Sequence, residues 1–196
     1  NFANPLFESP DEQYHYGFIR QLQDERRLPV VDYDGPLTEY HQPPLYYVLT
    51  ALLSAPLPHP EVAALTRSNP FWAYDIGSVG NDNKNQFLHP PDRLSDLRNT
   101  WPLYAVRFIS TLYGLAALWS IYFLARQLLP QPLAPAAMAL CAFIPNFLLT
   151  TASITNDALV VALSALVCLQ AVRFLHGAAS PTLRAWLLFG ATLGCA

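Results

Sequence analysis

From Trp101 onward the sequence is a succession of apolar runs too long and too poor in charge for the core of a water-soluble domain. Residues 103–129 carry only Arg107 and Arg126 as charges, and their length is enough to cross a bilayer with tilt. The turn Pro130-Gln131-Pro132 leads into a second apolar run over 133–151, interrupted by Pro145-Asn146. Such a break is tolerated in a membrane where neighbouring helices satisfy the freed backbone groups. A third run covers 157–175 and a fourth begins at 185. These features predict a mainly α, polytopic transmembrane helical protein.

Charge separates the chain into two parts. Thirteen of the fourteen acids precede Trp101, and only Asp157 follows it. We therefore expect a polar region over residues 1–100 lying outside the membrane and a membrane region over 101–196. Cations flank the links near Arg126 and between Arg173 and Arg184, whereas the link at Asn156-Asp157 has none. The positive-inside rule then puts residues 1–100 and Asp157 on the outer face. The chain opens without Met and stops within an apolar run, so it reads as a piece of a longer protein. Cys141, Cys168 and Cys195 sit in apolar surroundings at no metal-binding spacing, and no nucleic-acid partner is expected.

Within the outer region, Ser9-Pro10-Asp11-Glu12 has the pattern of a capping box with proline at the first helical position. The helix it predicts would carry Asp11, Glu12 and His15 on one face beside its N-terminus, where the macrodipole favours negative charge. An ordinary capped helix carries the same acids. Arg26-Arg27-Leu28-Pro29 ends it, and on its way Arg20 is spaced to pair with Asp24. Asp32 and Asp34 fit a solvated turn better than a cation site. After His41-Gln42-Pro43-Pro44 comes a short apolar, tyrosine-rich segment. At roughly ten residues it cannot span a bilayer, and it is expected to lie at the water–lipid boundary. Residues 56–100 are rich in proline and loop-forming residues.

The segments Ser9-Pro10-Asp11-Glu12 with His15, Leu28-Pro29-Val30, His41-Gln42-Pro43-Pro44-Leu45-Tyr46-Tyr47 and Ser153-Ile154-Thr155-Asn156-Asp157-Ala158-Leu159 together resemble the bacterial polytopic glycosyltransferases of the GT-C superfamily. Those enzymes are relatives of the protein O-mannosyltransferases of family 39 and of the lipid A aminoarabinose transferase. The resemblance implies a GT-C-like fold in the bacterial plasma membrane, with a long outer loop bearing interfacial helices. It also implies transfer of a sugar from a polyprenyl-phosphate donor to a protein, lipid or polysaccharide acceptor, with membrane lipid around the site. Asp11 matches the catalytic carboxylate position of the first loop, where it would act as base on the acceptor, and Glu12 its acidic neighbour. His15, His41, Gln42, Arg20, Arg107, Asn156 and Asp157 become candidate substrate-binding residues. Arg20, Arg107 and His41 would serve by offsetting charge on the donor phosphate, because a cation lowers the cost of a developing anion. Some members carry a lysine before the paired prolines, where this chain has His41 and Gln42. Some use a divalent cation and others do not, and no ligand cluster here decides for one.

Other roles remain for the same residues. Arg107 near a helix end can simply snorkel to the interface, and Asn156-Asp157 can cap the helix that follows. On that reading the chain would be a non-catalytic membrane component, such as a transporter subunit or an envelope assembly factor, with a partner-binding outer domain.

Overall fold

The computed structural model describes residues 2–30, 39–69, 72, 85–89, 93–177 and 181–196, and the Asp32–Asp34 pair lies outside them. Among the described residues every regular element is helical except an isolated antiparallel bridge between Ser68 and Phe87. The helices are α1 (Glu12–Glu25), α2 (Leu45–Ser54), α3 (Val62–Leu65), α4 (Arg93–Leu128), α5 (Ala134–Ala142, entered through a 3-10 turn at Gln131–Leu133), α6 (Pro145–Thr151), α7 (Asp157–His176) and α8 (Leu183–Cys195). The chain divides into two compact units, residues 1–107 and 108–196.

The first unit is built on α1 against α2. Glu12, His15, Tyr16, Phe18 and Ile19 recur at helical spacing and form the buried stripe of α1. The stripe meets Tyr46, Tyr47, Thr50, Ala51 and Ser54 of α2. Phe18 stacks on Tyr47 with ring centroids 4.0 Å apart, and Gln23 donates to the Ala51 carbonyl and the Ser54 hydroxyl. The tyrosines expected at a lipid boundary are thus interior, Tyr47 being fully buried. Their rings gain more by stacking on α1 than at an interface, and the His15 ring satisfies the one polar atom of Tyr47. Burial also pushes the Tyr16 phenol up to about 12, and its hydroxyl donates to the Pro60 carbonyl at 3.1 Å.

The start of α1 departs from a capping box. Its N-cap is Asp11, in a left-handed conformation with φ 56° and no side-chain capping bond. Ser9 instead accepts from the Asn4 amide at 2.6 Å, and Glu12 turns inward. The reason is a stronger partner for Glu12 than the orphan amide of Ser9, as described below. The other end of α1 is a left-handed Arg26, whose N–H bonds back to the Leu22 carbonyl.

Helix α4 begins about two turns before Trp101 and takes Pro102 into its interior. The stretch Leu97–Leu128 is long and apolar enough to cross a membrane, as is Asp157–His176. Gln131–Ala142 and Pro145–Thr151 make a third candidate span bent by 69° at Phe143-Ile144. Pro145 lacks the N–H that would continue α5, so it opens a new helix. In the second unit, α4 approaches α6 closely at Gly114, where a Cβ would stand 2.6 Å from the Thr151 methyl. Thr111 donates to the Thr151 carbonyl at 2.9 Å beside this contact. Phe174 of α7 packs on Trp186 and Phe189 of α8. Large apolar side chains of this unit, among them Leu140, Phe143 and Leu175, are left exposed, which suits a lipid environment.

Candidate functional site

A fully buried ion pair anchors the first unit. Arg107 and Glu12 are both 0% exposed. The guanidinium grips the carboxylate as a fork, Nε donating to Oε1 at 2.7 Å and Nη2 to Oε2 at 2.6 Å. Its other donors reach the carbonyls of Asn4, at 2.7 Å, and Pro5, at 2.8 Å. The Phe7 amide also donates to Glu12 Oε2 at 2.9 Å. One arginine in the N-terminal half of a membrane-length helix thereby fixes the N-terminal loop and the first turn of α1 together. It does not snorkel, because desolvating it is compensated by a carboxylate and two carbonyls at once.

A second carboxylate clamps the same loop. Glu8 accepts from the amides of Gln86 and Phe87 at 2.9 and 3.0 Å and from the His89 ring at 2.7 Å. Sequence reasoning passed over Glu8 and His89, since they are far apart in the chain and belong to no motif. With both carboxylates committed, the loop between them places Asp11 in a conformation that L-residues seldom adopt, with its side chain exposed. Its carbonyl accepts from the Tyr14 and His15 amides, so the residue is held from both sides.

Asp11, Glu12, His15 and Arg107 are therefore brought into one neighbourhood. His15 is buried behind Asp11, its Nδ1 sharing a 2.7 Å hydrogen bond with the Tyr47 hydroxyl. Arg20 points elsewhere on α1 and pairs with Asp24 at 3.2 Å, as its spacing predicts, and with Glu61 at 2.9 Å. It borders a groove of about 500 Å³ shared with Gln13, Tyr14 and Glu61. His41 is exposed ahead of α2, 3.5 Å from Glu39 and 3.3 Å from the Gln42 amide nitrogen. In the second unit Asn156 is buried at the N-cap of α7 without a side-chain capping bond. Asp157 follows it, exposed, with its N–H directed at the Thr155 hydroxyl. No group of three or more metal-ligating side chains occurs among the described residues.

Chemically, the first unit offers one carboxylate left to solvent beside one locked in the interior. The free one can accept a proton, and the locked one can hold it in place. The sequence profile of the family described as dolichyl-phosphate-mannose-protein mannosyltransferase matches residues 97–196, a stretch that includes Arg107 but not Asp11 or Glu12. No curated protein and no solved structure matches the chain.

Proposed function

The chain belongs to the dolichyl-phosphate-mannose-protein mannosyltransferase family, and from that premise we propose that it is the donor-binding and catalytic part of a membrane glycosyltransferase. The reaction is transfer of a sugar from a polyprenyl-phosphate carrier to an acceptor outside the bacterial plasma membrane. Asp11 is its general base. An acceptor hydroxyl or amine loses its proton to the Asp11 carboxylate as its lone pair bonds to the anomeric carbon. The bond from that carbon to the phosphate oxygen breaks on the opposite face, so the configuration inverts and the lipid phosphate departs with the electron pair.

The observation that carries this reading is the left-handed, exposed Asp11 next to the buried Glu12–Arg107 pair. Such a conformation is uncommon for a non-glycine residue, Asp and Asn adopting it more readily than others, and residues held in it concentrate at functional sites. Glu12 and Arg107 act as positioning residues, the ion pair setting where the first turn of α1 begins. His15, buried one turn behind, supports the same turn. His41 and Gln42, exposed ahead of α2, together with Asn156 and Asp157 at the start of α7, are assigned to substrate. Arg20, with two carboxylates already on it, and Arg107, fully buried against Glu12, are poor candidates for the cation that meets the donor phosphate.

The test is Asp11→Asn in the full-length protein, with transfer from a polyprenyl-phosphate sugar measured in membranes. Asparagine keeps the shape and tolerates the left-handed conformation while removing the base. Transfer is expected to fall by at least about 100-fold with expression and melting temperature unchanged. Full activity of this variant refutes the assignment.

A further inference from the structure

A second groove of the first unit, about 580 Å³ in volume, lies between the C-terminal end of α1 and the outer side of α2. Leu22, Leu28, Val48 and Leu52 supply apolar wall, and Arg26 and His59 stand at the edge. Two leucines of this wall are largely exposed, Leu52 at 68% and Leu28 at 53%, and so are their chain neighbours Leu53, at 61%, and Val30, at 74%. The tyrosine face of α2 is consumed in packing against α1, so the leucine face is the one left over.

Charge decides what such a surface fits. Arg27 is paired with Glu25 at 2.7 Å, and Asp24 is occupied by Arg20. Hydrogen bonds from Arg27 and Gln21 hold the Glu25 carboxyl below its ordinary range, which keeps that pair ionised. Arg26 has no carboxylate partner among the described residues. It also occupies the left-handed position that ends α1, where glycine is the usual residue because an L-side chain is strained there. A cation is thus kept, at a cost in backbone strain, at the rim of an apolar groove. The helix that carries Arg107 continues without interruption as a membrane-length segment, so lipid is within reach of this unit.

We propose that this groove is a docking site for an anionic glycerophospholipid of the surrounding leaflet, its phosphate on Arg26 and its acyl chains against Leu28 and Leu52. The site anchors the α1–α2 pair at the lipid boundary. It is distinct from the place where the sugar donor reacts and does not depend on the transferase assignment.

The experiment uses the full-length protein in lipid nanodiscs, with Leu52→Trp as the reporter and the unsubstituted protein as the background for its native tryptophans. The discs contain equal phosphatidylglycerol and phosphatidylcholine, with only one of the two brominated in each preparation. Quenching of the added tryptophan is expected to be stronger when phosphatidylglycerol carries the bromine, corresponding to a preference of roughly fivefold for one cation near the surface. Arg26→Gln should reduce that preference towards unity while quenching by both lipids persists. Leu28→Trp provides a second reporter should the first variant fail to fold. Absence of quenching, equal quenching by the two lipids, or a preference that survives Arg26→Gln overturns the proposal. So does displacement of the quenching lipid by added polyprenyl phosphate, which would make the groove part of the donor site.

Discussion

Replacing Arg107 by methionine tests whether the buried ion pair organises the first unit. Methionine fills most of the volume and removes all of the donors, so the loss is electrostatic more than steric. Three acceptors are abandoned at once: the Glu12 carboxylate and the carbonyls of Asn4 and Pro5. Breaking a buried pair by deleting one partner costs about 3–5 kcal/mol, chiefly because an uncompensated charge remains inside. Arg107→Met is therefore expected to lower the melting temperature of the full-length protein in detergent by about 6–20 °C, taking 2–4 °C per kcal/mol for a domain of this size. Adding Glu12→Leu removes the stranded charge but still leaves the Phe7 amide and two carbonyls without partners, each worth about 1–3 kcal/mol. The double variant should then be more stable than Arg107→Met alone, yet less stable than the native protein. Arg107→Lys restores the charge but not the fork, and should recover only part of the loss. A melting temperature unchanged by Arg107→Met, or a double variant that melts at the sum of the two single effects, would refute the reasoning.

Two further predictions concern packing. Tyr16→Phe removes the bond to the Pro60 carbonyl and should cost about 1 kcal/mol at neutral pH, read by thermal melting. The native protein has a folded-state phenol value of about 12, above the unfolded value near 10, so its contribution is complete below pH 10 and is lost as pH rises through 12. Tyr16→Phe should therefore flatten that alkaline limb, and an unchanged limb would refute the assignment. Gly114→Ala puts a methyl 2.6 Å from the Thr151 side chain and should destabilise by about 1–3 kcal/mol through displacement of α4 from α6, again read by melting.

Much of the architecture was legible because it follows from one-dimensional signals. Apolar length foretells membrane-length helices, and the Arg20–Asp24 pair follows from helical spacing. What the sequence concealed is long-range. Nothing local distinguishes Arg107 as a partner for Glu12, ninety-five positions earlier, although a cation among apolar residues is itself a request for a partner. The clamp of Glu8 on His89 crosses almost as great a distance. Tyr46 and Tyr47 mislead for a related reason: amphipathic rings suit an interface, but a complementary aromatic face on α1 suits them better, and that face becomes visible only once the two helices are paired.

The adjacent acids Asp11 and Glu12 show how a shared motif resolves into different roles. Read locally, both are first-turn carboxylates competing for the same orphan amides, and either could cap the helix. The buried guanidinium breaks that equivalence. Once Glu12 is drawn inward to Arg107, α1 must begin at Glu12, and the preceding residue is left to make the turn out of the loop. That turn is taken in the left-handed region, which lets the Asp11 carbonyl receive the Tyr14 and His15 amides while its carboxylate stays in solvent. An exposed carboxylate on a first turn would ordinarily fluctuate with the loop ahead of it. Here that loop is pinned by Glu8 on one side and by Arg107 on the other, so the orientation of Asp11 is inherited from contacts that Asp11 itself does not make. Loss of activity on breaking the ion pair would then come from misplacement of the base, and should appear as a fall in kcat larger than any change in substrate binding.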